Sequence, residues 1–249
     1  MPLKLALIAD VHGNVLAIDA ALADIGSHGV DRIVVLGDHV QNGPRPAETV
    51  ARLVELEREG AVIIAGNTDI AVADADYSAA FPWLDEVPAG HVAAAEWARE
   101  KLSDEQLEWL RRLPAERRLE AGPGELVLAC HGSPGSQTSG LPADLDPSIT
   151  VERVTRTDAR VIACGHTHIA DVRELGRKLI VNPGSCGYAF DDGAEACWAL
   201  LEVGDGSAPS AILKRPAYDA QTAAEEVADR GLPADVYRAA TIRTGRFVR

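Results

Sequence analysis

The chain has 249 residues, 47% of them apolar and 25% charged, with a formal charge of −14. That length supports one substantial core, and the acidic balance repels a nucleic-acid backbone, so extended DNA or RNA binding is not expected. A small anionic substrate is compatible with this charge only where local positive charge outweighs the surroundings, and a bound metal ion is the simplest source of it.

The first run, "MPLKLALIAD", is broken by Asp10 too soon for a signal peptide or a membrane span, which makes a cytoplasmic location and no membrane partner the expectation. Short β-rich runs then alternate with helical patterns: strand 3–9, helix 14–27, strand 32–37, helix 46–58 and strand 61–66. This β-α-β-α-β order predicts an α/β sheet with helices on its faces. Residues 73–118 change the rhythm. Ser103 and Gln106 match a capping box, and apolar residues recur at helical spacing around Trp97 and Trp109, which predicts a helical insert anchored in the core and partly overhanging the site. Strands return at 125–130, 160–164, 178–182, 196–203 and 210–214, spaced closely enough for part of this half to be antiparallel. Two helical patterns within 216–249 close the chain; with no repeat or linker, residues 1–249 read as a single domain. The insert and these last helices are also the candidates for a homo-oligomer contact. Cys130, Cys164, Cys186 and Cys197 lack CxxC spacing and sit in or beside apolar stretches, so they read as reduced core residues.

The polar residues at the end of each apolar run carry the chemistry. The first run ends in Asp10 and His12, the second in Asp38, the third in Asn67, the fourth in His131, and the fifth in His166 and His168. In open α/β sheets ligands bind beyond the carboxyl ends of the strands, so these seven side chains are candidates to converge. Singly, each is better read as a cap, a turn or a half-buried histidine. Together, "DVH" and "GHTH" place potential ligands two residues apart on one side of an extended segment, which is ligand spacing. A mixed carboxylate, amide and imidazole set suits Mn²⁺, Fe or Zn²⁺ better than Mg²⁺ or Ca²⁺.

The motifs "DVHGN", "GDHVQNGP", "GNTD", "CHGSP", "GHTH" and "NPGSCG", running from residue 10 to 187, resemble in order and spacing those of the calcineurin-like metallophosphoesterases. The resemblance is closest to the bacterial and archaeal phosphodiesterase-like branch. It implies a four-layer α/β/β/α sandwich and a site for two divalent transition-metal ions, Mn²⁺ foremost with Fe or Zn²⁺ as alternatives. Asp10, His12 and His168 would hold one ion, Asn67, His131 and His166 the other, and Asp38 would bridge them and position a metal-bridging hydroxide as the nucleophile. The implied activity is hydrolysis of phosphate esters on small phosphorylated molecules or nucleotides. Dinucleoside polyphosphate hydrolysis and protein phosphatase activity are the alternatives within this class. A non-catalytic scaffold of the same fold, as in the retromer subunit, ranks below them because all seven ligand positions are filled.

The wider branch of the family places a histidine after the metal-binding asparagine, where this chain has Thr68. Its hydroxyl has no useful pKa near neutrality, so a general-acid contribution is lost or supplied from elsewhere, and esters with good leaving groups suffer least. His39, beside Asp38, is the candidate replacement acid. Asn14, Asn42 and Arg45 are candidate contacts to a phosphate; Asn14 and Asn42 read equally well as a helix start and a turn, and Arg45 reads better as a solvated surface arginine. Asn182 reads as a turn residue beside the site, and His28 and His91 as ordinary structure.

Overall fold

In the computed structural model, which describes residues 2–249, the strands form two mixed five-stranded sheets packed face to face. β1 (Leu3–Ile8), β2 (Arg32–Val35) and β3 (Val62–Ile63) run parallel in the first sheet. β9 (Trp198–Val203) joins β1 antiparallel, and β10 (Ser210–Lys214) joins β9. The second sheet has β5 (Glu125–Cys130), β6 (Val161–Ala163) and β8 (Lys178–Asn182) parallel at its centre, edged antiparallel by β4 (Glu116–Gly122) and β7 (Asp171–Leu175).

The period-2 alternation of the central strands produces the layers. Leu5, Leu7, Val34 and Leu36 meet Val127, Ala129, Val161 and Val181 between the sheets. The opposite faces bind helices. Ala6, Ile8 and Val35 pack under α1 (Val15–Ile25) and α2 (Pro46–Arg58), and Leu128, Ile162 and Ile180 pack against α7 (Pro147–Val154). The result is the expected α/β/β/α sandwich. All four cysteines are buried and unpaired.

The insert is helical, through α3 (Asn67–Asp74), α4 (Tyr77–Ala80), α5 (Ala89–Lys101) and α6 (Asp104–Arg111). The Ser103–Gln106 capping box forms, and Trp109 is buried with its Nε1 donating to Glu57. The expected boundaries shift in two places. Residues 116–118 belong to β4, and the third strand pairs only at Val62 and Ile63 because the chain enters α3 at Asn67. The last helices, α8 (Ala220–Asp229) and α9 (Asp235–Thr244), pack on each other and on Tyr188 beside the site. Among the described residues no helix is long and apolar enough to cross a membrane.

Candidate metal centre

All seven run-end side chains meet at the carboxyl edge of the parallel strands. Ligand atoms of Asp10, His12, Asp38 and His168 lie within 4.8 Å of one another. Beside them Asn67 Oδ1 is 3.1 Å from His131 Nε2 and 2.9 Å from His166 Nδ1. Asp38 touches both groups, with Oδ2 3.6 Å from His12 Nε2 and Oδ1 3.4 Å from His131 Nε2.

The backbone is bent to make this possible. Asp10 (φ 54°), His12 (52°), Asp38 (56°), Asn42 (82°), His166 (70°) and His168 (59°) all occupy the left-handed region. Each such residue costs on the order of 1 to 3 kcal/mol, and the surrounding structure must over-determine it. Asp69 supplies much of that constraint. Its carboxylate accepts from the backbone N–H of Asp38 (3.0 Å), His39 (2.8 Å) and Gly66 (2.8 Å), tying the end of β2 to the start of α3. A side chain at Gly66 would collide with Asp38, its Cβ falling 2.1 Å from Oδ1. On the other side Asn182 donates to Gly165 O and Thr167 Oγ1, holding the "GHTH" turn from the end of β8.

Hydrogen bonds outside the cluster fix the imidazoles. His12 Nδ1 lies 2.8 Å from Gln41 O, His168 Nδ1 2.6 Å from Tyr188 O, and His131 Nδ1 2.7 Å from Leu36 O. A carbonyl oxygen only accepts, so each Nδ1 carries the proton. In the neutral rings each Nε2 then presents a lone pair inward. His12 Nε2 and His168 Nε2 stand 3.2 Å apart, and burial holds both imidazoles below the usual value, so at neutral pH neither brings a proton to share. Two converging lone pairs beside buried carboxylates fit a cation, and this donor set, backed by carbonyl-held rings, fits a divalent metal ion.

The carboxylates and His131 respond to the same crowding. Burial pushes the Asp10 carboxyl well up; His131 opposes this, and the neighbouring Asp38 charge adds to it. Burial alone would raise Asp38 as well, but His131, His12 and His166 hold it well below the ordinary range. Burial pushes His131 down, yet the charge and hydrogen bond of Asp38 outweigh it and lift the imidazole to about 9.

A cavity of about 490 Å³ opens onto the cluster. Its walls come from the insert (Phe81, Trp83, His91), from Tyr188 and Phe190, and from the C-terminal segment (Tyr237, Arg238, Phe247). Phe190 stacks on His168 at 4.3 Å between ring centres, and the Trp83 ring meets His166 edge-on at 5.9 Å. The expected overhang of the insert is present. His91, read from sequence as ordinary structure, lines the cavity instead, held low by burial and by Arg238.

Three second-tier expectations are corrected. His39 is fully buried and turned away from the cavity, with Nε2 2.8 Å from Ile64 O and its ring 6.0 Å from that of Trp109. Asn14 caps α1, accepting from Ala17 N and donating to Gly187 O and Tyr218 OH, and does not line the cavity. Arg45 is engaged in a two-pronged pair with Glu226 of α8. Asn42 does line the cavity, as does Thr68, whose buried Oγ1 has no partner. Asp69, His91 and Arg238 are site residues that sequence reasoning misses. The place of Asp69 within "GNTD", directly after the metal-ligand candidate Asn67 and Thr68, is the available signal for it; nothing local marks the other two.

A family model described as the calcineurin-like phosphoesterase superfamily domain matches residues 3–206. An uncharacterized protein of Methanocaldococcus jannaschii is 26% identical over 246 residues, covering 92% of this chain and 93% of that protein. The crystal structure of a metallophosphoesterase from Sphaerobacter thermophilus is similar with a TM-score of 0.75 and 25% identity, covering 98% of this chain and all of the other. A symmetrical bis(5'-nucleosyl)-tetraphosphatase of Acidovorax is 32% identical over 131 residues, which are 52% of this chain and 44% of that protein.

Proposed function

We propose that this chain, which belongs to the calcineurin-like phosphoesterase superfamily, is a hydrolase that cleaves phosphate esters of small molecules bearing an aromatic or nucleoside group, with two divalent transition-metal ions. The observation that carries this reading is the inward convergence of proton-free imidazole nitrogens and two carboxylates at the floor of an aromatic-walled cavity. Asp10, His12 and His168 would hold one ion and Asn67, His131 and His166 the other, with Asp38 shared. When bound, such ions would supply the positive charge a phosphoryl group needs and acidify a water molecule, Mn²⁺ first and Fe or Zn²⁺ as alternatives. Residues 1–249 act as one domain in this reading, and the protein works in the cytoplasm.

The chain's own residues set what can be cleaved. Asp69 and Asn182 hold the ligand-bearing turns, and the carbonyls of Gln41, Leu36 and Tyr188 keep each Nδ1 protonated, which leaves Nε2 free on His12 and His168 and makes it the nitrogen of His131 that gives up its proton to a metal ion. Phe81, Trp83, Tyr188 and Phe190 exclude water and offer ring faces to a planar group. Proton donation to a departing alkoxide finds little support. Thr68 stands where a histidine would act, His39 faces away, and His91 is held low, so it is neutral at pH 7. The substrates this favours are esters with good leaving groups, such as aryl phosphates, activated diesters and nucleotide anhydrides. The similarity to a dinucleoside tetraphosphatase over part of the chain favours the anhydride as the second reading.

The test is elemental analysis together with a panel of nitrophenyl monoester, nitrophenyl diester, cyclic nucleotides and dinucleoside polyphosphates, run with added Mn²⁺. Turnover of at least one activated ester with about two bound ions is expected. Metal-free protein that turns over nothing after Mn²⁺, Fe²⁺ and Zn²⁺ are each restored would overturn the reading.

A further inference from the structure

The cavity lining carries, besides the metal ligands, a cation that the cluster itself does not need. Arg238 lines the cavity although only 5% of it is exposed. It is held rigidly. Nε donates to Asn42 Oδ1 (3.1 Å), Nη1 to Pro233 O (2.8 Å) and Asp235 Oδ1 (3.0 Å), and Nη2 to Gly90 O. Those bonds use four of the five N–H donors of a guanidinium, so one remains.

Its charge is only partly compensated. Asp235 is 2% exposed and also pairs with Arg230, through Nη2 at 2.6 Å and Nε at 3.1 Å. Two buried arginines share one carboxylate, which leaves the triad one positive charge in excess. Buried charge without a full partner is costly, and a fold that keeps it at a cavity wall offers it to an anion. Among the described charged side chains that line the cavity, Arg249 is a further cation and Asp38 is the only carboxylate. In a chain of net charge −14 this is a local reversal of sign. Asn42 links the two regions, bonded to Arg238 at one end and with Nδ2 3.5 Å from His12 Nδ1 at the other.

We propose that Arg238, backed by Arg230 and Asp235, forms a second anion subsite that receives a phosphoryl group the substrate carries beyond the one being cleaved. Resting on the phosphoesterase reading above, the proposal selects within it: preferred substrates are doubly phosphorylated, whereas singly charged aryl diesters are poor ones. Arg238 binds and positions; it takes no part in proton transfer. With one N–H left it makes a single charge-assisted bond to a phosphate oxygen, and lysine would keep the charge while losing the bonds that hold the group in place.

The test compares thymidine 5'-monophosphate with thymidine 3',5'-bisphosphate and thymidine 5'-diphosphate by calorimetric binding to the protein as isolated, in the wild type and in Arg238→Gln, Arg238→Lys and Arg230→Gln. Wild type should bind at least one doubly phosphorylated nucleotide about tenfold or more tightly than the monophosphate, the scale of one charge-assisted contact. In Arg238→Gln that ratio should fall to about one, in Arg238→Lys part should survive, and in Arg230→Gln, which leaves a neutral Arg238–Asp235 pair, it should fall about threefold or more. No preference in wild type, or a preference that survives Arg238→Gln, overturns the subsite. If Arg238→Gln does not fold, Arg230→Gln decides, because an unchanged ratio there excludes the shared excess charge. Parallel hydrolysis of the 5'-nitrophenyl esters with and without a 3'-phosphate separates the two readings. Binding preference without any turnover after Mn²⁺, Fe²⁺ and Zn²⁺ are each restored keeps the subsite and rejects the hydrolase, and equal turnover with equal binding does the reverse.

Discussion

Replacing Asp69 by Asn tests whether a residue that touches no substrate builds the site. The carboxylate is 1% exposed; Oδ1 serves His39 N–H while Oδ2 serves both Asp38 N–H and Gly66 N–H. An asparagine can keep its oxygen toward the pair, but its NH₂ then faces the third donor, which is left unsatisfied at a cost of about 1 to 3 kcal/mol. The two retained bonds lose their charge assistance, roughly 1 kcal/mol each. The sum, about 3 to 5 kcal/mol, corresponds in a chain of this size to a fall in Tm of roughly 6 to 20 °C. Because Asp38 hangs on one of these bonds, metal affinity should fall by about 10- to 100-fold as well. Thermal melts with and without Mn²⁺ and a metal titration of Asp69→Asn read both effects. A variant that melts within about 2 °C of wild type and loads metal normally would refute Asp69 as the tie between the two ligand turns.

The lifted pKa of His131 gives a proton readout. Held at about 9 by Asp38 in the metal-free protein, against an ordinary value of about 6.5, the protonated imidazole stabilises the fold fully below about pH 6.5, and this contribution is lost as pH rises through about 9. Metal-free protein should therefore lose stability across that window, and metal binding at pH 7.5 should release about one proton, measured by calorimetry in buffers of different ionisation enthalpy. His39→Ala should slow nitrophenyl and alkyl esters by the same factor; selective slowing of the alkyl ester would restore an acid role for His39. Trp83→Ala should raise KM for a nitrophenyl ester by about five- to tenfold, the equivalent of roughly 1 kcal/mol of ring contact, with kcat changing less.

The strand-end residues are legible because each stands at the junction of an apolar run and a polar turn, and the parallel strands deliver every such junction to one edge. Edge strands are not. "ERRLEAG" and "DVREL" form β4 and β7 while carrying mostly charged, exposed or half-buried residues, so no apolar run announces them. An inward-facing His39 goes against a signal the sequence does contain, since neighbours in extended chain face opposite ways and Asp38 already claims the inward side. Arg45, Asn14 and Arg238 are decided by partners far along the chain, 181 residues away for Glu226, 204 for Tyr218 and 196 for Asn42. Pattern reading sees helix starts and turns, whereas long-range pairing decides whether a polar side chain is spare. The cavity wall is hidden for the same reason, being assembled from the insert and the last helices rather than from any periodic stretch.

The facing lone pairs of His12 and His168 have a consequence for the life of the protein in the cell. Crowded carboxylates and facing imidazole lone pairs raise the free energy of the fold, and a cation would relieve both together. Ligand binding to the native state alone adds stability of about 2.7 kcal/mol at a hundredfold excess over Kd. Metal supply would thus set how many molecules survive proteolytic surveillance as well as how many are active.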